Sequence, residues 1–414
     1  MKNANEFNRD AWEVLKERGF IHSTSHEDEL KKALEGGPIT FYLGIDPTAD
    51  NLHIGHFFAL QVFRILQNHG HNGIILLGNA TAMIGDPSFK NEMRKLMSQK
   101  ELNKNAKKIR SLLGRFIDMN SATLVYNASW MKKENFIAFM RRIGTHFNVN
   151  EMLTKDCYKN RLKDGLTIFE MSYMLLQAND FIHLNDKFGC TLQIGGTDQW
   201  SNILGGVELG RKVAHRKGRE RPLMMAMCNP LLTKTDGTKM GKTEKGTLWV
   251  TGEPYDCFQH FVNIPDEDVE RLLMFFSPMA VKDIKSLCKA DIVLAKKMMA
   301  FEVTKKIHGE MPATIARDTA SALFTKPGDG EETTDQTPAD APSETVTIAE
   351  NSNIVDVLAL VSVIGSKREA RELIDAGAIL IDNEKITDHE FVPPSEFLLK
   401  KGKKTFVKIT VNNS

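Results

Sequence analysis

Two histidines stand three residues apart at the start of an apolar segment, in DNLHIGHFFAL, residues 50–60. Three roles are compatible with His53 and His56: ligands of a metal ion, histidines of a hydrophobic core, or hydrogen-bond donors to a phosphate. A metal site needs a third ligand, which the H-x-x-H pattern does not supply by itself. A core role explains one histidine better than two at the same place. The pair therefore favours phosphate donors, with the other two roles still open.

A second polar segment with possible chemistry is LTKTDGTKMGKTEKG, residues 232–246, which is rich in lysine, threonine and glycine. It is too polar to be a core strand. Lys239 and Lys242 can place two ammonium groups on one anion, and Thr243 adds a hydroxyl. Taken alone, the segment is equally compatible with an exposed basic loop.

The elements around the histidines predict a parallel sheet. ITFYLGID (39–46) is typical of a buried strand, PTADN of a turn, and the apolar periodicity from His53 to Gly70 of an amphipathic helix. NGIILLGNAT (72–81) and SATLVYNAS predict two further strands. Strand, helix and strand in this order form a βαβ unit. The histidines then lie at a helix N-terminus beside the carboxyl ends of parallel strands, where a polyphosphate is well accommodated.

Composition indicates a soluble globular protein of two or three domains, with 414 residues, 42% hydrophobic residues and a net charge of +1. The first twenty residues resemble neither a signal nor a transit peptide, and no apolar run is long enough to span a bilayer. The five cysteines are far apart and form no C-x-x-C pair, which favours a reducing, cytoplasmic setting. Any affinity for a polyanion must come from local clusters of basic residues. Residues 90–115 form such a cluster, with nine lysines or arginines and only two glutamates.

The chain divides into segments of different character. Residues 265–324 have the periodicity of helices, and residues 326–345 contain six acidic residues with almost nothing to bury, as in a flexible linker. Residues 351–414 resume a patterned sequence with grouped bases at Lys367, Arg368 and Arg371 and at Lys400, Lys401, Lys403 and Lys404, which suggests phosphate contacts. We expect a first domain at 1–225, a polar loop with a helical domain at 226–325, an acidic linker at 326–350 and a small domain at 351–414.

The pair of signatures HIGH (53–56) and KMGKT (239–243) resembles that of the class I aminoacyl-tRNA synthetases. FYLGIDPTADNLHIGH, GDPSFK, MSYMLLQANDF and LQIGGTDQWSN are similar to blocks of the bacterial tyrosyl-tRNA synthetases, and the tail resembles their S4-like RNA-binding domain. One difference is visible, because Gly241 and Thr243 replace the two serines of the usual K-M-S-K-S loop. The resemblance implies a Rossmann-like α/β catalytic domain, then an α-helical domain and a small α+β domain.

The implied reaction has two steps. The carboxylate of L-tyrosine attacks the α-phosphate of ATP, and the tyrosyl group then moves to the terminal ribose of tRNA(Tyr). The resemblance also implies Mg²⁺ accompanying ATP, a homodimer, no membrane and no protein-bound metal. It assigns the catalytic charge-stabilising role to His53, His56, Lys239, Lys242, Thr243, Lys90 and Arg94.

Substrate recognition is implied residue by residue. Tyr42 and Asp180 match the positions that contact the phenol oxygen. Tyr173, Gln177 and Asp180 have helical spacings of four and three, so one helix can present all three on one face. The implied tyrosine site is Tyr42, Asp86, Tyr173, Gln177, Asp180, Gln193 and Gln199. The implied ATP site is Gly44, Asp46, Thr48, His53, Gly55, His56, Gly195, Asp198, Lys239, Met240 and Lys242.

Three other functions share some of these features. A tryptophanyl enzyme has the same fold and both signatures, but the combination of Tyr42 and Asp180 argues against it. A nucleotidylyltransferase for a small metabolite also uses an H-x-G-H pair, and the KMGKT loop, the length and the basic tail argue against that. A non-catalytic RNA-binding protein is disfavoured because both signatures retain their histidines and lysines.

Overall fold

The computed structural model describes residues 9–88, 96–159, 162–163, 165–215, 218–233, 235, 240, 242–243, 246–324, 343–348, 352–361, 363–364, 366–382, 384–401 and 405–413. The chain forms two compact units. The first comprises Met1–Gly252 and His260–Ile307, and the second comprises Glu253–Gln259 and His308–Ser414.

The first unit is built around a six-stranded sheet with the order β1-β6-β5-β2-β3-β4. All neighbouring strands are parallel except the β1–β6 pair at one edge. The predicted parallel sheet is therefore confirmed, and β2 lies in its middle, between β5 and β3. The strands are β1 (Ser23–Thr24), β2 (Thr40–Ile45), β3 (Asn72–Leu77), β4 (Ala122–Tyr126), β5 (Cys190–Gly196) and β6 (Met225–Asn229).

Helices cover this sheet and continue beyond it. Those before β6 are α1 (Ala11–Glu17), α2 (Glu27–Glu35), α3 (Ile54–Asn68), α4 (Gln99–Leu113), α5 (Ala128–Met131), α6 (Phe136–Arg142), α7 (Val149–Leu153), α8 (Asp156–Lys159), α9 (Ile168–Phe188) and α10 (Trp200–Lys212). After β6 come a two-stranded hairpin, β7 (Lys242–Thr243) with β8 (Gly246–Thr247), and the helices α11 (Pro254–Val262), α12 (Asp266–Phe276), α13 (Val281–Ala290), α14 (Ile292–His308) and α15 (Glu310–Phe324). The prediction that residues 265–324 are helical is confirmed. Among the described helices, none is long and apolar enough to cross a membrane.

Helix α3 packs tightly onto the sheet because of one glycine in β3. A Cβ on Gly73 would lie 2.2 Å from Cζ of Phe63, so a side chain there would displace the ring. Phe63 is fully buried and contacts Phe41 of β2 with ring centroids 4.8 Å apart. This close packing fixes α3, and hence the histidines at its start, against the middle of the sheet.

Helix α9 is set by signals at both of its ends. Thr167 caps its first turn and exchanges hydrogen bonds with Glu170, and Gly189 ends it in the left-handed conformation at φ 65°. Most of its length is buried, with Met174, Ala178 and Phe181 inside the core. The helix can therefore present polar side chains to a site within the protein.

The second unit contains a five-stranded sheet with the order β11-β10-β12-β13-β9, whose β13–β9 pair is parallel. Its elements after α15 are β9 (Ser343–Ile348), α16 (Ile354–Leu358), α17 (Lys367–Asp375), β10 (Ile379–Ile381), β11 (Glu384–Lys385), β12 (Glu396–Lys401) and β13 (Thr405–Asn413). Their apolar side chains, among them Val346, Ile374 and Ile409, share one buried cluster.

Strand β9 corrects the prediction of a linker over residues 326–350. Ser343–Ile348 pairs with β13, and Val346 and Ile348 are buried. In SETVTI, the apolar Val346 and Ile348 alternate with threonines, which is the pattern of a strand. The acidic composition of the whole segment obscured this short pattern. The rest of the expected linker, up to residue 342, lies outside the described residues. The predicted boundary after residue 225 falls at the start of β6, and the division into four domains stays a prediction.

Candidate active site

The candidate site lies at the carboxyl end of β2, in the middle of the main sheet. β2 carries Tyr42 and leads through a short turn to His53 at the start of α3. The neighbouring strand β5 ends in Gly195 and Gly196. In open α/β sheets, ligands bind outside the carboxyl ends of the strands. His53 and the two glycines at the end of β5 therefore lie where a ligand is expected.

His53 and His56 close the N-terminus of α3 reciprocally. Nδ1 of His53 accepts hydrogen bonds from the backbone N–H groups of Gly55 (3.1 Å) and His56 (3.2 Å), and Nδ1 of His56 accepts one from the N–H of His53 (3.4 Å). The N–H of Ile54 donates to the carbonyl of Leu248. The first N–H groups of the helix are therefore already paired within the protein.

This pairing decides the tautomer of each imidazole. Because each Nδ1 accepts a hydrogen bond, each neutral ring carries its proton on Nε2 and can donate it. The rings stack with centroids 3.7 Å apart, and a Cβ on Gly55 would lie 3.0 Å from Cε1 of His53. Desolvation, followed by the charge of His53, lowers the pKa of His56 well below its usual range, so His56 is a neutral donor.

The segment that follows KMGKT is joined to the start of α3 by backbone hydrogen bonds. Besides the bond from Ile54 to Leu248, the N–H of Val250 donates to the carbonyl of Leu52 at 2.9 Å, and His53 forms a bridge with Trp249. Lys239 lies outside the described residues, and Lys242 and Thr243 are described as strand β7, paired with β8. The buried Met240 donates its N–H to the carbonyl of Leu232.

Asp180 lies at the other end of the candidate site, with only 2% of its surface exposed. Its Oδ2 accepts a hydrogen bond from Nδ2 of Asn127 at 2.9 Å, and its Oδ1 accepts one from Nε1 of Trp130 at 2.8 Å. Burial raises the pKa of Asp180 to about 8, an increase that the two hydrogen bonds partly oppose. A carboxyl held in this way can pair with a hydroxyl in either protonation state, as acceptor when ionised and as donor when protonated.

Tyr42 supplies a second polar atom at this end. Its ring packs against Phe181 at 5.2 Å, and it is 1% exposed. Its hydroxyl has no hydrogen-bond partner within the part of the chain that the structure describes. Burial, with a smaller contribution from the charge of Asp180, raises the pKa of Tyr42 well above its usual value. A buried hydroxyl without a partner is costly, which is expected where a ligand completes the hydrogen bonding.

The middle of the site is formed by Tyr173, Asp46 and Thr81. The hydroxyl of Tyr173, on α9, donates to Oδ2 of Asp46 at 2.9 Å. The hydroxyl of Thr81 donates to Oδ1 of the same carboxylate at 2.8 Å. These contacts join α9 and the segment after β3 to the carboxylate that directly follows β2.

Asp86 is a second buried carboxylate of the site. Its Oδ2 accepts a hydrogen bond from Nε2 of Gln199 at 2.6 Å, and its Oδ1 accepts bonds from the N–H of Ser88 at 3.0 Å and from Nδ2 of Asn202 at 3.3 Å. Asp86 and Gln199 were both predicted from the resemblance, and the structure brings them into direct contact.

Two glutamines of the predicted site have unpaired oxygens. Oε1 of Gln177 on α9 and Oε1 of Gln193 on β5 are buried without a hydrogen-bond partner among the described residues. Each can accept a hydrogen bond from a cationic or hydroxyl group of a ligand.

Of the remaining predicted residues, some lie near the carboxyl ends of β2 and β5, and others lie outside the described residues. A Cβ on Gly195 would lie 2.9 Å from Ile203 of α10, so the glycine allows that helix to approach the end of β5. Thr48 donates its N–H to the carbonyl of Asp46 in the turn after β2, and Gly44 and Asp198 lie at the carboxyl ends of β2 and β5. Lys90 and Arg94 lie outside the described residues.

Sequence reasoning missed Asn127, Trp130, Thr81 and Asn202. Asn127 follows β4 directly, at the same edge of the sheet as the histidines, so its position relative to a predicted parallel strand was a usable signal. Trp130 and Thr81 gave no such signal, because their partners are remote in the sequence. Among the described residues, no group of three His, Cys, Asp or Glu side chains is arranged to hold a metal ion.

Known families cover most of the chain. Residues 34–325 match the family described as tRNA synthetases class I (W and Y), and residues 333–409 match the family described as the Tyrosine–tRNA ligase SYY-like C-terminal domain. The tyrosine–tRNA ligase of Clostridium kluyveri is 43% identical over 417 residues, with 97% of this chain and 99% of the relative covered. That of Acetivibrio thermocellus is 42% identical, with 96% and 98% covered.

Solved structures give the same result. A C-terminally truncated mitochondrial tyrosyl-tRNA synthetase of Aspergillus nidulans is similar with a TM-score of 0.66 and 26% identity, covering 78% of this chain and 97% of that chain. The tyrosyl-tRNA synthetase of Archaeoglobus fulgidus complexed with L-tyrosine shares the fold, with a TM-score of 0.56 at 19% identity, covering 75% of this chain and 99% of that chain. On its sequence, its sheet and the geometry of its site, the chain belongs to the tyrosyl-tRNA synthetase family of the class I aminoacyl-tRNA synthetases.

Proposed function

We propose that this chain activates L-tyrosine with ATP to tyrosyl-adenylate and pyrophosphate, and then transfers the tyrosyl group to the 3′-terminal adenosine of tRNA(Tyr). The observation that carries the proposal is Asp180, a buried carboxyl beside the unpaired hydroxyl of Tyr42, in a site that begins at the HIGH histidines. Family membership supports the same reaction.

The phenol end selects tyrosine over phenylalanine through buried polar groups. The substrate hydroxyl pairs with Asp180 and Tyr42, and phenylalanine offers neither of them a partner in this desolvated pocket. Asn127 and Trp130 hold both oxygens of Asp180, so the carboxyl cannot turn away to find another partner. The α-ammonium group of tyrosine lies near Tyr173, Gln177 and Asp86, and Gln193 supports the site.

The phosphate end stabilises charge rather than forming a covalent intermediate. The tyrosine carboxylate is ionised at neutral pH and attacks the α-phosphate, forming the acyl–phosphate bond as the bond to pyrophosphate breaks. Nε2–H groups of His53 and His56 donate to phosphate oxygens as negative charge accumulates there. Loss of one such donor raises the barrier by on the order of 3 kcal/mol.

Lys239, Lys242, Thr243, Lys90 and Arg94 complete the proposed phosphate site as donors to the departing pyrophosphate. The ATP site further includes Gly44, Asp46, Thr48, Gly55, Gly195, Asp198 and Met240, with Gln199 near the substrate carboxylate. The hydrogen bonds that join Leu52–Ile54 to Leu248–Val250 support a short distance between the two signatures.

Mg²⁺ accompanies ATP in this proposal and is held by phosphate oxygens and water. The donor chemistry fits that arrangement, because the histidines present N–H groups rather than lone pairs to the ligand. When bound, the ion would supply positive charge against the phosphates, while the chain's own residues align the carboxylate and the α-phosphate.

The second unit is proposed to be an S4-like tRNA-binding domain, following a Rossmann-like catalytic domain and a helical domain. Lys367, Arg368 and Arg371 are exposed on α17, although Lys367 pairs with Asp356 and Arg368 with Glu372. Such exposed ion pairs are weak, so these bases can exchange carboxylates for tRNA phosphates.

A homodimer in the cytoplasm is part of the same proposal. Exposed apolar side chains collect between α6 and the start of α9, around the segment HFNVNEMLTK. They include Phe136 (72% exposed), Ile137 (63%), Val149 (53%) and Ile168 (79%). Apolar side chains exposed at this density are typical of protein interfaces.

The test is exchange of pyrophosphate into ATP with tyrosine, phenylalanine and tryptophan in parallel. Exchange that depends on tyrosine alone supports the proposal. Exchange with tryptophan identifies a tryptophanyl enzyme, and no exchange with any of them excludes amino-acid activation. Transfer to tRNA(Tyr) is then measured as acid-precipitable tyrosine.

A further inference from the structure

Asn127 is a fully used hydrogen-bonding group between the two ends of the tyrosine site. It is completely buried, and its Oδ1 accepts a hydrogen bond from the N–H of Ala80 at 2.8 Å, which fixes the orientation of the amide. Its Nδ2 donates to Oδ2 of Asp180 at 2.9 Å and to Oγ1 of Thr81 at 3.0 Å. Both amide hydrogens are thereby committed, one of them to Thr81.

Thr81 accepts this hydrogen bond and donates another through its hydroxyl. It is 3% exposed, and because its oxygen accepts from Asn127, its hydroxyl hydrogen is available to Oδ1 of Asp46 at 2.8 Å or to the carbonyl of Gly78 at 3.1 Å. The carboxylate is the stronger acceptor. The order of donation is therefore Asn127 to Thr81 to Asp46.

The space for this arrangement is made by Gly78. A Cβ there would lie 2.1 Å from Oδ1 of Asp46 and 2.4 Å from Oγ1 of Thr81. The backbone thus approaches the hydroxyl and the carboxylate directly, which leaves Thr81 little room for another rotamer. The other oxygen of Asp46 accepts from Tyr173.

We propose that Thr81 is a positioning residue for tyrosine recognition: its hydroxyl links the Asp46–Tyr173 pair at the ammonium end to the Asn127–Asp180 pair at the phenol end. The inference rests on the proposed function and adds the residue on which both ends depend. Without the hydroxyl, Nδ2 of Asn127 loses one acceptor and Oδ1 of Asp46 loses one donor. Both pairs then relax, and selectivity falls although Thr81 itself contacts no substrate.

The experiment compares kcat/KM for tyrosine and phenylalanine in pyrophosphate exchange for the Thr81→Val and Thr81→Ser variants. We expect Thr81→Val, which keeps the shape and removes the hydroxyl, to lower the tyrosine-to-phenylalanine ratio by about ten- to one-hundred-fold, mainly through KM for tyrosine. Thr81→Ser keeps the hydroxyl and should retain most of the ratio.

Thr304→Val is the matched control. Thr304 is fully buried in α14, and its hydroxyl donates to the carbonyl of Ala300 at 2.7 Å, so the same chemical change is made elsewhere in the unit. It should lower the stability and leave the ratio unchanged. If Thr81→Val does not fold, Thr81→Cys is compared with Thr81→Ser, because the two differ only in sulfur against oxygen.

The outcomes separate the inference from the function. If the wild-type protein shows no tyrosine-dependent exchange of pyrophosphate into ATP, the proposed function is wrong. A working wild-type protein whose Thr81→Val variant, or in its place Thr81→Cys, keeps the ratio within about twofold overturns the role of Thr81 alone. A ratio that falls equally in Thr304→Val also overturns it, because the effect is then one of general stability.

Discussion

The two ends of the candidate site are built on different principles. At the phenol end, Asp180, Asn127 and Tyr42 are all buried, and two donors from the start of α5 hold the carboxyl. At the phosphate end, His53 and His56 are half-buried and are held by backbone N–H groups of their own helix. Selection between two amino acids that differ by one hydroxyl needs fixed, desolvated partners. Binding ATP and releasing pyrophosphate needs donors that remain open to water.

The largest effect is expected from a substitution that impairs only the phosphate end. His56→Ala removes an Nε2–H donor and should lower kcat for exchange by about 10²- to 10³-fold, with KM for tyrosine little changed. His56→Gln, whose amide nitrogen can reach the position of Nε2, should recover part of the rate, whereas His56→Asn should not. A parallel rise in KM for tyrosine would contradict the separation of the two ends.

The next largest effect is expected from a substitution that impairs only the phenol end. Asp180→Asn removes the carboxyl and turns an amide N–H toward the donors of Asn127 or Trp130. We expect the preference for tyrosine over phenylalanine to fall by about a hundred-fold, because the phenol loses its carboxyl partner and the amide cannot satisfy both neighbours. Competition between the two amino acids in the exchange assay measures this. An unchanged preference would mean that the phenol is recognised elsewhere.

A third prediction follows from the pKa of Asp180, which burial raises to about 8 from an ordinary value near 3.8. Between these values the folded state holds a proton that the unfolded state has lost. This contribution to stability is complete below the lower value, and is lost as pH rises to about 8. Relative to Asp180→Asn, the wild-type free energy of unfolding should fall by about 1.4 kcal/mol per pH unit in this window.

Urea titrations of both proteins at several pH values measure that difference. Other groups, among them His56, titrate in both proteins and cancel in the comparison. Parallel curves between pH 5 and pH 7 would show that Asp180 is not desolvated in the folded protein.

The smallest effect tests whether the phenol end depends on local helix stability. Thr167→Ala removes the N-cap of α9 and should lower the free energy of unfolding by about 1 kcal/mol. KM for tyrosine should stay the same, since Tyr173 and Asp180 are held by contacts to other elements. Thermal melts and exchange kinetics on the same preparation decide this.

Much of the phosphate end was predictable, because its signals are local. The periodicity after His53 predicts α3, and the order strand, helix, strand places its N-terminus at the carboxyl edge of a parallel sheet. Which nitrogen each ring presents was not predictable, since it depends on the backbone N–H groups that donate to each Nδ1: those of Gly55 and His56 for His53, and that of His53 for His56.

The phenol end was predictable only in part, because its contacts are long-range. The spacing of Tyr173, Gln177 and Asp180 predicts one helix face, which α9 confirms. Asn127 and Trp130 come from a different part of the chain, 53 and 50 residues from Asp180. Strand β9 shows the opposite error, in which an acidic composition outweighed a short alternating pattern.

The bridge between His53 and Trp249 has a mechanical consequence. Since Leu52–Ile54 is bonded to Leu248–Val250 through the backbone, a displacement of one segment is transmitted to the other without any side chain as intermediary. A displacement of residues 248–250 would therefore also shift the start of α3 and its two imidazoles, through main-chain hydrogen bonds that substitution of surface side chains leaves intact.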